Sequence, residues 1–193
     1  MTTLLENASL LVPNGLVADA DGNVYVAGKG VFNVGPTLGG AIYKITPDGK
    51  YTVFAGGKTN DGTPVDGTGA AATFSLPQLV GIDQGGNMYL SDGGRYRMIT
   101  PQAIVSTIAS LPAGLGAAPD GNIYSIDATQ SVVYRTAPDG SGKTIVAGVA
   151  GQSATVLGAL PGGLDHPAAI VPMGPGSFAV ISASAVLKLV LPY

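Results

Sequence analysis

The chain has 193 residues, enough for one domain with a sizeable core. Charged residues make up only 11%, against about a quarter in an ordinary soluble domain, while apolar residues reach 46% and 30 residues are glycine; that balance is the reverse of a disordered chain's. The net charge of −3 and nine basic residues, with no cluster beyond Arg95 and Arg97, exclude a nucleic-acid footprint, and the absence of cysteine excludes thiolates and disulfides.

At the N-terminus no basic region precedes an apolar stretch, so no signal peptide is expected in this chain. Nor does any apolar run approach the roughly 20 residues of a membrane helix. Asn7-Ala8-Ser9 is a glycosylation sequon, meaningful only on an exported protein.

From there the chain repeats one unit. Asp21-Gly22-Asn23-Val24-Tyr25-Val26 returns as Gly85-Gly86-Asn87-Met88-Tyr89-Leu90 and as Asp120-Gly121-Asn122-Ile123-Tyr124-Ser125. A divergent fourth copy is Pro175-Gly176-Ser177-Phe178-Ala179-Val180. Each copy reads as a tight turn launching a strand, because Gly and Asn accept positive φ at low cost. Helical periodicity is nearly missing, with one candidate turn at 70–74.

Aligned on this turn, the chain predicts four strands per repeat. First strands fall at 15–19, 79–83, 113–118 and 168–172, and second strands at 23–27, 87–91, 122–126 and 177–181. Third strands fall at 41–46, 95–100, 132–137 and 185–190, and fourth strands at 51–55, 103–109 and 143–147. The last repeat lacks its fourth strand, and Thr2-Thr3-Leu4-Leu5 resembles the outer strands 52–55 and 106–109. The N-terminus is therefore expected to complete the last sheet. Variable loops lie at 28–40, 56–76 and 148–166. The last two end alike, with an apolar residue three before a proline: Phe74 and Pro77, Leu164 and Pro167.

Three stretches together resemble one NHL-type β-propeller repeat: Pro13-Asn14-Gly15-Leu16-Val17-Ala18-Asp19, the turn and strand from Asp21 to Ala27, and Ile42-Tyr43-Lys44-Ile45-Thr46-Pro47-Asp48-Gly49. The resemblance spans nearly the whole chain and is strongest in the first two repeats. It implies an all-β fold: a single domain over 1–193, a four-bladed β-propeller of four-stranded antiparallel blades closed by the N-terminal strand. The blades are expected at about 15–55, 79–109, 113–147, and 168–193 plus 2–5. Six blades or so are more usual among such relatives, so a partial ring completed by another copy stays open. Blades pack face to face, so their strands should be apolar on both faces, as in Val186-Leu187-Lys188-Leu189-Val190-Leu191.

Candidate sites are few. Propellers of this resemblance that act as lyases or hydrolases use histidines and carboxylates near the central channel, often with a metal. His166, the one histidine, could serve as a general base with Asp19 or Asp83, but one histidine cannot build a three-histidine zinc site. Against this stands a plain loop residue before Pro167. Asp19 and Asp83 hold equivalent positions and could hold calcium; the third and fourth equivalents are Ala118 and Met173, which excludes a symmetric ligand ring. Turn capping is the simpler reading for both, and for Asp92 and Asp127 past the second strands, where Gly28 and Ser182 stand in the other repeats. Lys58, Asn60, Asp61 and Asp66 are candidate binding residues in a loop that otherwise reads as a flexible surface segment. Recurring Tyr25, Tyr89 and Tyr124, with Tyr43 and Tyr134, suit either sugar binding or packing between blades.

With no convincing catalytic set, the sequence reading favours no enzyme and no cofactor. It expects a non-catalytic interaction module that self-assembles or docks on a protein partner, such as an extracellular filament subunit or a virion component. The sparse charge supports an expected homo-oligomer or polymer at a cell or virion surface. A propeller lyase or hydrolase, and a carbohydrate-binding propeller, are the alternatives.

Overall fold

The computed structural model describes residues 10–30, 39–58, 63–108, 115–117, 120–174 and 176–192. The expected N-terminal strand at 2–5 and the candidates Asn60 and Asp61 lie outside them. The chain divides into two compact units, Met1–Thr107 and Ile108–Tyr193, with the division at the end of the second sheet.

In the first unit, β1 (Leu10–Ala18), β2 (Val24–Gly30), β3 (Gly40–Ile45) and β4 (Tyr51–Gly56) form an antiparallel sheet in chain order. A second sheet follows with β6 (Pro77–Ile82), β7 (Met88–Asp92), β8 (Arg95–Ile99) and β9 (Ile104–Ile108), and the short β5 (Gly67–Thr68) pairs on the outside of β9. The expected helical turn is a 3-10 turn, Gly69–Ala71. Strand pairs place Val17 opposite Tyr25 and, two residues further along β2, Ala27 opposite Ile42, so these four apolar positions share one face, while Val26 opposite Tyr43 lies on the other. Val17, Ile42, Phe74, Leu79, Leu90, Ile99 and Val105 make the core of this unit. Gly15 is at φ 86 where β1 passes β6; a Cβ there would lie 2.4 Å from the Leu79 carbonyl oxygen, so only glycine permits the approach.

The second unit repeats the plan. β10 (Leu115–Ala117), β11 (Ile123–Asp127), β12 (Val132–Thr136) and β13 (Thr144–Ala147) form one antiparallel sheet. β14 (Pro167–Gly174), β15 (Ser177–Ser182) and β16 (Ala185–Val190) form another, three-stranded among the described residues. Tyr124, Ile126, Val133, Ile170, Phe178 and Leu189 fill the core, with the Tyr124 and Phe178 rings 4.4 Å apart between centroids. The two apolar residues three before their prolines, Phe74 and Leu164, are both buried, each in its own unit's core.

One loop departs from its expectation. The segment before β6 reads as flexible surface, yet Asp66 is pinned by three donors: Arg97 Nη2 at 2.8 Å, the Thr107 backbone N–H at 3.0 Å and the Thr107 hydroxyl at 2.8 Å. Arg97 is fully buried and also donates to Asp92 Oδ2 at 3.0 Å, to the Thr73 carbonyl at 2.9 Å and to the Val65 carbonyl at 2.8 Å. Its guanidinium lies 5.0 Å from the Phe74 ring centre. Five donors in a rigid fork let one side chain collect the loop carbonyls and two carboxylates. Asp92 in turn accepts the Ser75 and Leu76 amides, both at 2.8 Å, and so caps the segment that leads into β6.

Candidate functional site

The repeated turn builds the same small network three times. Asp19 accepts the Asn23 amide at 2.9 Å through Oδ1, and the Asn23 side chain at 2.8 Å and the Tyr25 hydroxyl at 3.2 Å through Oδ2. Asp83 does the same for Asn87 and Tyr89. In the third copy Asp120 takes this place, accepting the Asn122 amide at 3.0 Å, its side chain at 2.9 Å and the Tyr124 hydroxyl at 2.9 Å. Aligning the copies by position points to Ala118 and hides this substitution. A signal was present nonetheless: an acid two or four residues before an Asn-x-Tyr.

These carboxylates are therefore occupied. Burial works to raise the pKa of Asp19, but hydrogen bonds from Asn23, Tyr25 and Asp21 outweigh it and leave the group below its ordinary value. The same contest, with Asn122, Tyr124 and the charge of Arg135 on the lowering side, depresses Asp120. Tyr25 is pushed up to about 12 by burial, by the charge of Asp19 and by its hydrogen bond to that carboxylate. Asp19, Tyr25 and Asp83 line one cleft of about 390 Å³ with Ile82 and Pro101, so the structure does bring the two candidate carboxylates to one place. Each has its oxygens engaged by hydrogen-bond donors of its own turn and strand. Among the described residues no group of three or more His, Asp or Glu side chains could hold a metal. Tyr25, Tyr89, Tyr124 and Tyr43 are buried, so their rings offer no open stacking face for a sugar. Asp127 caps its own turn, accepting the Gln130 amide at 2.9 Å. Lys58 is exposed, and its carbonyl accepts the Gly39 amide at 3.1 Å.

His166 is placed differently. It lies in the second unit just before β14, with its side chain 71% exposed. Its Nδ1 meets Asp165 Oδ1; since a carboxylate only accepts, Nδ1 is the donor, and in the neutral tautomer this contact selects, Nε2 carries the lone pair. The backbone of this dipeptide is held from three sides. The Asp165 amide donates to Ser182 Oγ at 2.8 Å, the Ala183 amide donates to the Asp165 carbonyl at 2.7 Å, and the His166 amide makes a long 3.4 Å contact with Ser131 Oγ. Ser131 and Ser182 are fully buried. His166 is also in the left-handed region at φ 42, an uncommon conformation for a residue with a Cβ. In the first unit the corresponding residue before the proline is Leu76, and Asp92 does the capping that Ser182 does here. The sequence points to His166; that Asp165 is its partner, rather than a neighbour in sequence alone, is a finding of the structure.

No family model and no curated protein matches the chain. Solved structures do. The chain is similar to a gluconolactonase from Xanthomonas campestris at 13% identity and a TM-score of 0.59, covering 100% of this chain and 61% of that one. It is similar to a catalytically inactive virginiamycin B lyase from Staphylococcus aureus, crystallised with quinupristin, at 12% identity and a TM-score of 0.50, covering 92% and 55%. It is similar too to an auxiliary nutrient binding protein from Bacteroides thetaiotaomicron at 12% identity and a TM-score of 0.52, covering 92% and 44%. The chain thus spans less than two thirds of each of these structures. At such identities the likeness is one of fold, to propellers in general rather than to the NHL type in particular. It still overturns the expectation of no enzyme, because this same fold houses a gluconolactonase and a lyase. The reason the sequence misled is physical: a propeller site needs no contiguous motif, so the want of one excludes nothing. The chain is an all-β protein of antiparallel sheets with the β-propeller fold.

Proposed function

We propose that the chain is a catalytic propeller, a hydrolase or lyase acting on a small cyclic ester, with His166 as general base and Asp165 as its positioning partner. The observation that carries this reading is the exposed imidazole whose Nδ1 is held by Asp165, leaving Nε2 open to a substrate proton. A base needs a defined tautomer and a fixed ring, and the carboxylate supplies both. Asp19 and Asp83 are not part of this machinery, since their oxygens are taken up by Asn and Tyr partners. The cyclic-ester class is suggested by the gluconolactonase of the same fold. Opening a lactone takes a proton from attacking water, and ester elimination takes one from carbon; Nε2 suits either step. Within the same proposal the four sheets are four blades, the last completed by residues 2–5.

The test is turnover of a panel of aldono-lactones and cyclic depsipeptides. His166→Ala is expected to lose about 100-fold or more of kcat/KM, in the range of general-base catalysis, and Asp165→Asn a smaller share. Asp19→Asn and Asp83→Asn should keep kcat. Full activity in His166→Ala, or no turnover by the native chain on any member of the panel, sinks the proposal.

A further inference from the structure

The second unit carries two clefts that share the wall formed by Leu160 and Pro161. The larger, about 330 Å³, is lined by Ile145, Val146, Leu191 and Pro192 with a single charged residue, Arg135. The smaller, about 80 Å³, continues along Val156, Leu164 and Leu189 and has a single charged residue, Lys188. Among the described residues no side-chain carboxylate lines either cleft. The walls are set by backbone hydrogen bonds: the Gly148 amide donates to the Pro161 carbonyl at 2.7 Å, and the Leu191 amide donates to the Gly176 carbonyl at 2.8 Å. Leu164 and Leu189 belong to the core of the unit, and Val146 packs against it, so the floor is rigid. Arg135 is exposed and acts on Asp120 through charge, while the oxygens of Asp120 are occupied by Asn122 and Tyr124.

We infer that these clefts form one binding site for a small apolar carboxylic acid, its carboxylate on Arg135 and its hydrocarbon body along Leu160 and Pro161. A preformed, largely apolar cleft with one convergent polar group is the usual make-up of a small-molecule site, and the larger cleft reaches the roughly 300 Å³ at which such sites begin. The guanidinium fork matches a carboxylate in two parallel hydrogen bonds, which a lysine does not, and this assigns the anionic end to Arg135 rather than Lys188. The smaller cleft then receives the far end of the chain. His166 lines neither cleft, so the site stands apart from the catalytic proposal and can fail without it.

Isothermal titration of the purified chain with octanoate, octanol and acetate tests it. Octanoate is expected to bind saturably, octanol about tenfold more weakly, and acetate not measurably. Arg135→Gln should bring octanoate down to the octanol level and leave octanol unchanged, Leu160→Ser should weaken both, and Lys188→Gln should change neither. Arg135 is a surface residue, so its variant should melt within about 2 °C of the native chain, which checks the fold. Octanol binding as tightly as octanoate, an Arg135→Gln variant equal to the native chain, or no saturable octanoate binding overturns the inference.

Discussion

Replacing Arg97 with methionine removes the charge while keeping most of the side-chain volume. Arg97 and Asp92 are both fully buried and 3.0 Å apart, so the variant strands Asp92 as a buried charge. Asp92 keeps the Ser75 and Leu76 amides, but the Val65 and Thr73 carbonyls and Asp66 each lose a donor. Removing one partner of a buried ion pair costs about 3–5 kcal/mol. For a chain of this length that is a fall of about 6–20 °C in Tm. Urea and thermal unfolding followed by circular dichroism measure it. The double variant Arg97→Met with Asp92→Asn removes the stranded charge, so it should be about 1–3 kcal/mol more stable than the sum of the single effects. A loss under about 1 kcal/mol in Arg97→Met, or strict additivity in the double variant, would show that the buried pair is not what holds the loop before β6.

Gly148 is at φ 82, and a Cβ there would sit 2.2 Å from the Ser131 carbonyl oxygen; Gly148→Ala is expected to cost well over about 1 kcal/mol, read as a lower urea midpoint at unchanged slope. Asp19, Asp66 and Asp120 all have pKa values lowered in the folded state, so their contribution to stability is complete above the ordinary carboxylate value of 3.8 and is lost as pH falls through the lowered values. Tm should accordingly hold steady from neutral pH to about pH 5 and drop below about pH 4, and Asp19→Asn with Asp120→Asn should flatten that drop; an unchanged acid limb would count against the turn networks. Deleting residues 1–6 should lower Tm by several degrees if they complete the fourth sheet, because an apolar strand edge would be exposed; an unchanged melt would remove that part of the proposal.

Much of the fold is legible in the chain because its signals are local. A Gly at positive φ, an Asn and a β-branched run lie within a few residues of one another, so turn and strand can be read together, as at Asp21-Gly22-Asn23. The predicted strands agree with the observed ones within a few residues, β1 and β14 running longer than expected. The site was harder to read. Asp120 replaces the expected Ala118 because a carboxylate can reach the same tyrosine hydroxyl from the turn as from the strand end. Arg97 looked like half of a small basic cluster and is a buried hub, because its partners Asp66, Thr73 and Val65 come from a loop some thirty residues earlier.

By itself, then, the sequence determined the all-β class, the four-fold repeat, the turn chemistry and the single histidine, each of which depends on neighbours along the chain. The tertiary structure alone decided which polar groups remain available for chemistry. Asp19 and Asp83 are closed off by their Asn and Tyr partners, Asp66 by Arg97 and Thr107, and His166 keeps Nε2 open because Asp165 takes only Nδ1. Availability depends on who accepts and donates at hydrogen-bond distance, and that is set by packing between distant segments, which residue spacing does not encode.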